Sequence, residues 1–309
     1  MVVSQFCSDA AVNSLFSYSK SVVDQLCMNY DRPKELRNMQ YLIFAGMVSY
    51  YGFEHIDVIT EAYRKNQFIY TKDSLRDCLE KLGCVSRSTL DNLSDDTIAV
   101  FLNEHFYNNS TNTMFTEGKL VISDDMNYAS DELLEYVTHE VNHAVNSVKK
   151  DIVPFGKKYK TRKGLIISDY NSGEKRNVFM EEAVNTLQTE DFMDHILSFT
   201  DYKIEDTEIW YELDKLKNGL GMKHEHRGYP IISSIVKPLF ENRKFNYVLK
   251  ERRIDGNVNF ISSEFDAKAG TSAFDTLSRC IDRIQISDDA SKVSSEARAK
   301  SLIKSYVSR

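Results

Sequence analysis

The sequence predicts an α+β fold: a core with a small sheet, preceded by a mostly helical N-terminal lobe. Three observations predict it. Apolar residues recur at helical spacing across residues 11–29, 35–51, 57–65 and 74–81, and again after residue 177. Two short runs, residues 113–116 and 119–122, flank Glu117-Gly118 in the manner of a β-hairpin. Only 12 Gly and 4 Pro occur in 309 residues, which leaves few hard breaks. The expected domains are a helical lobe over residues 1–105 and a second domain over 106–309.

The N-terminal lobe carries no visible chemistry. Its last helix is expected over residues 94–106, with Ser94 as N-cap, Asp95 and Asp96 in the first turn, and Ile98, Phe101 and Leu102 as its packing face. His55 and His105 read as packing or surface histidines. The lobe is expected to support a site elsewhere or to bind a partner.

That site is expected on the helix after the hairpin. Leu134, Val137, Val141, Ala144, Val145 and Val148 fall on one arc, and Tyr136, His139, His143 and Asn146 on the opposite one. Ser130 is the expected N-cap, and Asp131 and Glu132 suit the positive end of the helix. The polar arc holds His139-Glu140-Val141-Asn142-His143. Two histidines four residues apart stand one turn apart on one face, so both imidazoles can reach a single ion. Glu140 lies about 100° round the helix, where it can touch a water held by the ion without being a ligand. Zinc with a carboxylate base is the metallopeptidase arrangement. The plainer reading is two surface histidines on an amphipathic helix.

Residues 149–176 form the most basic stretch of an acidic chain, with Lys149, Lys150, Lys157, Lys158, Lys160, Arg162 and Lys163. A solvated loop is the ordinary reading of such a run, and steering of an acidic substrate the sharper one. Leu165-Ile166-Ile167 reads as a short strand and residues 170–173 as a turn. The helix over residues 177–197 places Met180, Ala183, Val184 and Leu187 on one face and Glu182, Asn185 and Thr186 on the other. Glu182 is the candidate third ligand, completing two His and one Glu with a corner left for water. Glu181 competes but projects about 100° away. Either could equally be a solvated surface carboxylate.

The remainder is expected to be helical, broken near residues 219–221, 228–230 and 255–256. Within residues 223–230, Tyr229, His226 or Arg227 could donate to the oxyanion that forms when water attacks an amide, and Tyr229 is the catalytic candidate taken forward. A second metal site at His224 and His226 is the lesser alternative. Residues 291–309 show no chemistry.

Composition narrows the class. The 42% hydrophobic and 28% charged content is that of a globular protein, and no apolar run approaches the roughly 18 residues of a membrane span. A net charge of −7 argues against nucleic acid as partner. The 5 cysteines (Cys7, Cys27, Cys78, Cys84 and Cys280) are odd in number and scattered, so reduced thiols are expected. The first eight residues lack a basic region followed by an apolar one, so no usual signal peptide is expected, and the working compartment is a cytosol.

His139-Glu140-x-x-His143, followed on the next helix by Glu181-Glu182-Ala183, resembles the gluzincin zinc metallopeptidases, most of all the bacterial toxin and effector members. The resemblance covers residues 113–190. It implies a zincin-like core, Zn2+ held by His139, His143 and Glu182, and Glu140 as the base. It further implies a protein substrate bound as an extended strand along the hairpin near Leu120, and action in the chain's own cytosol or, by secretion without a usual signal, in a host cytosol. Thr186 stands where many relatives carry an acid supporting a zinc-bound His. Metzincins continue to a Gly and a third His, where this chain has Asn146 and Lys149. Deformylases carry Asp where this helix has Asn142, although Leu82-Gly83-Cys84-Val85-Ser86 echoes one of their motifs. The alternative from a different class is a non-enzymatic zinc-binding scaffold. Glu140 discriminates against it, because a structural site needs no base.

Overall fold

A computed structural model of the chain describes residues 8–27, 34–65, 67–71, 113–116, 119–123, 130–148, 151–155, 158–169, 175–219, 229–286 and 289–308. The expectations for residues 74–81, 82–86 and 94–106 with His105, for the 105/106 boundary, for Lys149, Lys150, Lys157 and the turn at 170–173, and for His224, His226 and Arg227 lie outside the described residues. The chain forms two compact units, Met1–Ala144 with Thr189–Lys223, and Val145–Gln188 with His224–Arg309.

The first unit is built from α1 (Asp9–Leu26), α2 (Lys34–Tyr51), a 3-10 turn (Phe53–His55), α3 (Ile56–Lys65), strands β1 (Gln67–Thr71), β2 (Thr113–Thr116) and β3 (Lys119–Ser123), most of α4 (Ser130–Asn146), the end of α5 (Val178–Leu197), a second 3-10 turn (Ser198–Asp201) and α6 (Thr207–Gly219). Ser8 caps α1 by accepting from the Ala11 N–H at 3.3 Å, offsetting one of the unpaired donors of a helix start. Every residue of α2 from Asn38 onward is buried, so this helix is the centre of the unit. Gly46 is what lets α5 approach it: a Cβ there would meet Phe192 at 2.7 Å and Ile196 at 2.9 Å. One turn on, Ser49 pairs with His195 at 3.0 Å and the Tyr50 hydroxyl donates to Asp191 at 2.5 Å. His55 is buried, in keeping with a packing role.

The hairpin forms as expected, with β2 antiparallel to β3, but β1 adds in parallel on the other side of β3. Leu120 is therefore flanked by Phe115 and by Phe68. β3 is the middle strand of three, with neighbours on both sides, and β2 is the outer strand of the hairpin.

The second unit holds β4 (Asp151–Phe155), β5 (Lys158–Lys163), β6 (Ile166–Asp169) and β7 (Lys175–Arg176), an antiparallel ladder in that order, then the first part of α5 and helices α7 (Pro230–Glu241), α8 (Arg243–Ile254), α9 (Val258–Ala269), α10 (Ala273–Ile286) and α11 (Asp289–Val307). The basic stretch is thus strand, not loop, over 158–163. The core of this unit gathers Met180, Val184 and Leu187 of α5 with Ile232, Val236, Phe245, Phe265, Leu277 and Tyr306 from the later helices. Phe265 stacks on Tyr306 at 5.0 Å.

The expected α+β class with a zincin-like core and small sheet is contradicted: helices dominate, and the class is all-helical by its core, the two ladders being built of strands of only two to six residues. Among the residues whose side chains are described, the buried apolar ones come from helices and 3-10 turns, with Cys27, Leu165, Ile166 and Ile204 as the exceptions. The hairpin misled the fold assignment because a short strand pair is a local feature, while the core is set by long helices that bury whole faces.

The start of α5 is anchored by α10. Asn177 adopts the left-handed conformation at φ 63°, which asparagine tolerates, and its amide donates to the Leu165 carbonyl at 3.0 Å while accepting from Ser278 at 2.7 Å. Asp282 then accepts from the N–H groups of Asn177 (3.3 Å) and Phe179 (3.2 Å). Burial pushes the Asp282 carboxyl up to about 6, against the pull of those two donors. An acid whose folded value exceeds the ordinary 3.8 contributes stability that is complete below about pH 4 and lost as pH rises through about 6. Thermal unfolding of metal-free protein should therefore show wild type gaining on Asp282→Asn as pH falls from 7 to 4. A difference that does not vary with pH would contradict the assignment.

Candidate metal centre

Helix α4 is buried on both faces. Leu134, Val137, Val141, Ala144 and Val145 lie inside, as the apolar spacing requires, but so do Glu140, Asn142, His143 and Asn146 on the polar side. Only His139 of the motif is half-buried. The reading of two surface histidines on an amphipathic helix is therefore overturned by burial. The His139 and His143 rings meet edge to face with centroids 4.9 Å apart. Asn142, the residue before His143, donates to the Thr189 hydroxyl of α5 at 3.1 Å and accepts from the Tyr51 hydroxyl of α2 at 3.4 Å.

Helix α5 is buried all round from Met180 to Thr189. Two polar stripes run along it about 100° apart, each at helical spacing. Glu181, Asn185 and Gln188 form one. Glu182, Thr186 and Thr189 form the other. The solvated-face reading of the paired glutamates fails for both, since neither is more than 2% exposed. A buried carboxylate must be met by donors or a cation, and the two are met differently.

Glu181 is committed within the fold. It pairs with the fully buried Arg253 and accepts from the Leu165 N–H at 2.8 Å. The same guanidinium reaches Gln188 and Asn185, spanning the whole first stripe. Glu182 instead comes together with the histidines: ligand atoms of His139, His143 and Glu182 all lie within 4.8 Å of one another. The candidate third ligand is thus the one that converges, and its competitor is not. Thr186, also buried, has no hydrogen-bond partner for its hydroxyl among the described residues. Tyr229 stands at the start of α7 at φ 47°, its ring edge-on to Phe179 at 6.0 Å.

The donor set fits zinc. Two imidazoles and one carboxylate are the ligands of an open, catalytic type of site, whereas closed structural sites are rich in cysteine. Neither described cysteine, Cys27 or Cys280, joins the cluster. The chain matches no family model, no curated protein and no solved structure.

Arg253 was missed by sequence reasoning, although a signal existed. It continues the Phe245–Leu249 stripe of α8 at the next i+4 position, where a charge is buried and must find an acid. The roles of Tyr51, Asn142 and Gly164 had no such signal, since each depends on a residue far away in the chain.

The two glutamates predict different failures. Glu181→Ala strands a buried guanidinium and should cost about 3–5 kcal/mol in urea unfolding of the metal-free protein. Glu182→Ala leaves the Glu181–Arg253 pair in place and should cost less in the same measurement. Equal losses would contradict the division of roles.

Proposed function

We propose that the chain is a zinc-dependent endopeptidase of the gluzincin kind, cleaving peptide bonds in a protein substrate. The observation that carries this reading is the convergence of His139, His143 and Glu182, with Glu140 buried in the same turn of α4. A site that merely held the fold together would have no use for a second carboxylate there. The order of the ligands, two from one helix and one from the next, supports peptide hydrolysis through its resemblance to gluzincins.

A zinc ion held there acts as a Lewis acid, polarising the scissile carbonyl and bringing the pKa of a water to about 7. Glu140 takes the proton of the attacking water and passes it to the leaving amine. Its burial keeps the carboxylate in a medium where that transfer is not screened by bulk water. Tyr229 is the proposed donor to the oxyanion. It is set by its contact with Phe179, one turn ahead of Glu182 on α5. An extended substrate would pair with an outer strand of the first ladder, β1 or β2, since β3 is flanked on both sides. No helix among the described residues is long and apolar enough to cross a membrane.

Glu140→Gln should bind zinc with wild-type stoichiometry and lose about 10²–10⁴-fold in cleavage rate. The check is a search for new N-termini in a proteome exposed to wild type and to Glu140→Gln, with metal analysis of both proteins. Zinc bound equally by both and no new N-termini from either would overturn the peptidase reading in favour of a scaffold.

A further inference from the structure

The carbonyl of Asn146 closes α4, three residues after His143. It accepts from the Gly164 N–H at 3.2 Å, so one of the acceptors left over at a helix end is met by a turn 18 residues on. The next residue of that turn, Leu165, is held at both its polar groups by the start of α5. Its N–H donates to Glu181 at 2.8 Å and its carbonyl accepts from Asn177 at 3.0 Å. Leu165 is itself fully buried in the core of the second unit. The turn is thus a short bridge from the end of the His-bearing helix to the start of the Glu-bearing helix.

The bridge leaves no slack. Gly164 has φ +52°, and a Cβ there would meet the two carboxylate oxygens of Glu181 at 2.7 and 2.8 Å. Behind the same carboxylate stands Arg253, fully buried and bonded to Glu181, Asn185 and Gln188. The fork of a guanidinium grips three acceptors on one stripe, and with it fixes how α5 is rotated about its own axis. Glu182 is the residue next to Glu181, so the rotation that Arg253 sets also sets where Glu182 points.

We propose that the Gly164–Leu165 turn, clamped by Glu181 and Arg253, is a strut that fixes the rotation of α5 and with it the placement of the ligand carboxylate of Glu182, with Gly164 and Arg253 as positioning residues. The proposal rests on the zinc reading of His139, His143 and Glu182. Supporting groups of this kind act on metal affinity by about 10–100-fold when removed.

The test compares the zinc dissociation constant, by competition with a chromophoric chelator well below the unfolding temperature, across wild type, Gly164→Ala, Arg253→Met and Arg253→Lys. The melting temperature of each metal-free protein is recorded alongside. Leu239→Ala, a core truncation on α7, serves as a control that lowers stability without removing any hydrogen bond of the strut. Gly164→Ala and Arg253→Met should weaken zinc binding about 10–100-fold. Arg253→Lys, which keeps the charge and loses the fork, should fall between them and wild type. Leu239→Ala should hold zinc as wild type does, at whatever melting temperature it shows. Should Arg253→Met fail to fold, Gly164→Ala and Arg253→Lys decide the matter. Zinc affinities within threefold of wild type in those variants, or an equal loss in Leu239→Ala, overturn the strut and leave the zinc site standing. A wild-type protein that binds no zinc overturns both.

Discussion

Two adjacent carboxylates, Glu181 and Glu182, are buried in a helix that meets solvent on no side over ten residues, Met180 to Thr189. Burying one carboxylate is costly, and burying two neighbours is worse unless each finds its own compensation. Much of what surrounds α5 follows from that constraint. On one stripe an arginine with no exposed surface and a backbone N–H meet the Glu181 carboxylate, and the same guanidinium donates to the side-chain amides of Asn185 and Gln188. On the other, two imidazoles converge on Glu182. The Glu181 carboxylate is met by an arginine and a backbone N–H. The second stripe is arranged as a set of ligands.

The helices around this pair are placed by a few specific contacts. Gly46 of α2 admits Phe192 and Ile196 of α5, and the Tyr51 hydroxyl of α2 donates to the Asn142 amide, next in the chain to His143. Asp282 and Ser278 of α10 hold the first turn of α5. Each contact ties a part of the chain with no chemistry of its own to a helix that carries a ligand.

How legible all this was in the sequence depended on the range of the interaction. The histidine spacing, the preference for Glu182 over Glu181 and the existence of α1 to α5 follow from helical periodicity, which is local. The burial of α4 on its polar side was not legible, because His139, Asn142 and His143 look the same facing water as facing α5. Arg253 was half legible, as a charge on its own helix's apolar stripe. The fold class was misjudged because a genuine hairpin at Thr113–Ser123 was given more weight than the helices that make the core. The bridge at Gly164 could not be read at all. Its meaning lies in distances to Asn146 and Glu181, and nothing near it in the sequence announces them.

The central claim is that His139, His143 and Glu182 share one cation with a corner left for water. Zinc-edge X-ray absorption of the protein loaded with one equivalent of zinc reports this directly. The account predicts nitrogen and oxygen neighbours at about 2.0–2.2 Å, two of them imidazoles, and a loss of the bound metal in Glu182→Ala. Sulfur neighbours at about 2.3 Å, a single imidazole, or zinc held unchanged by Glu182→Ala would contradict it.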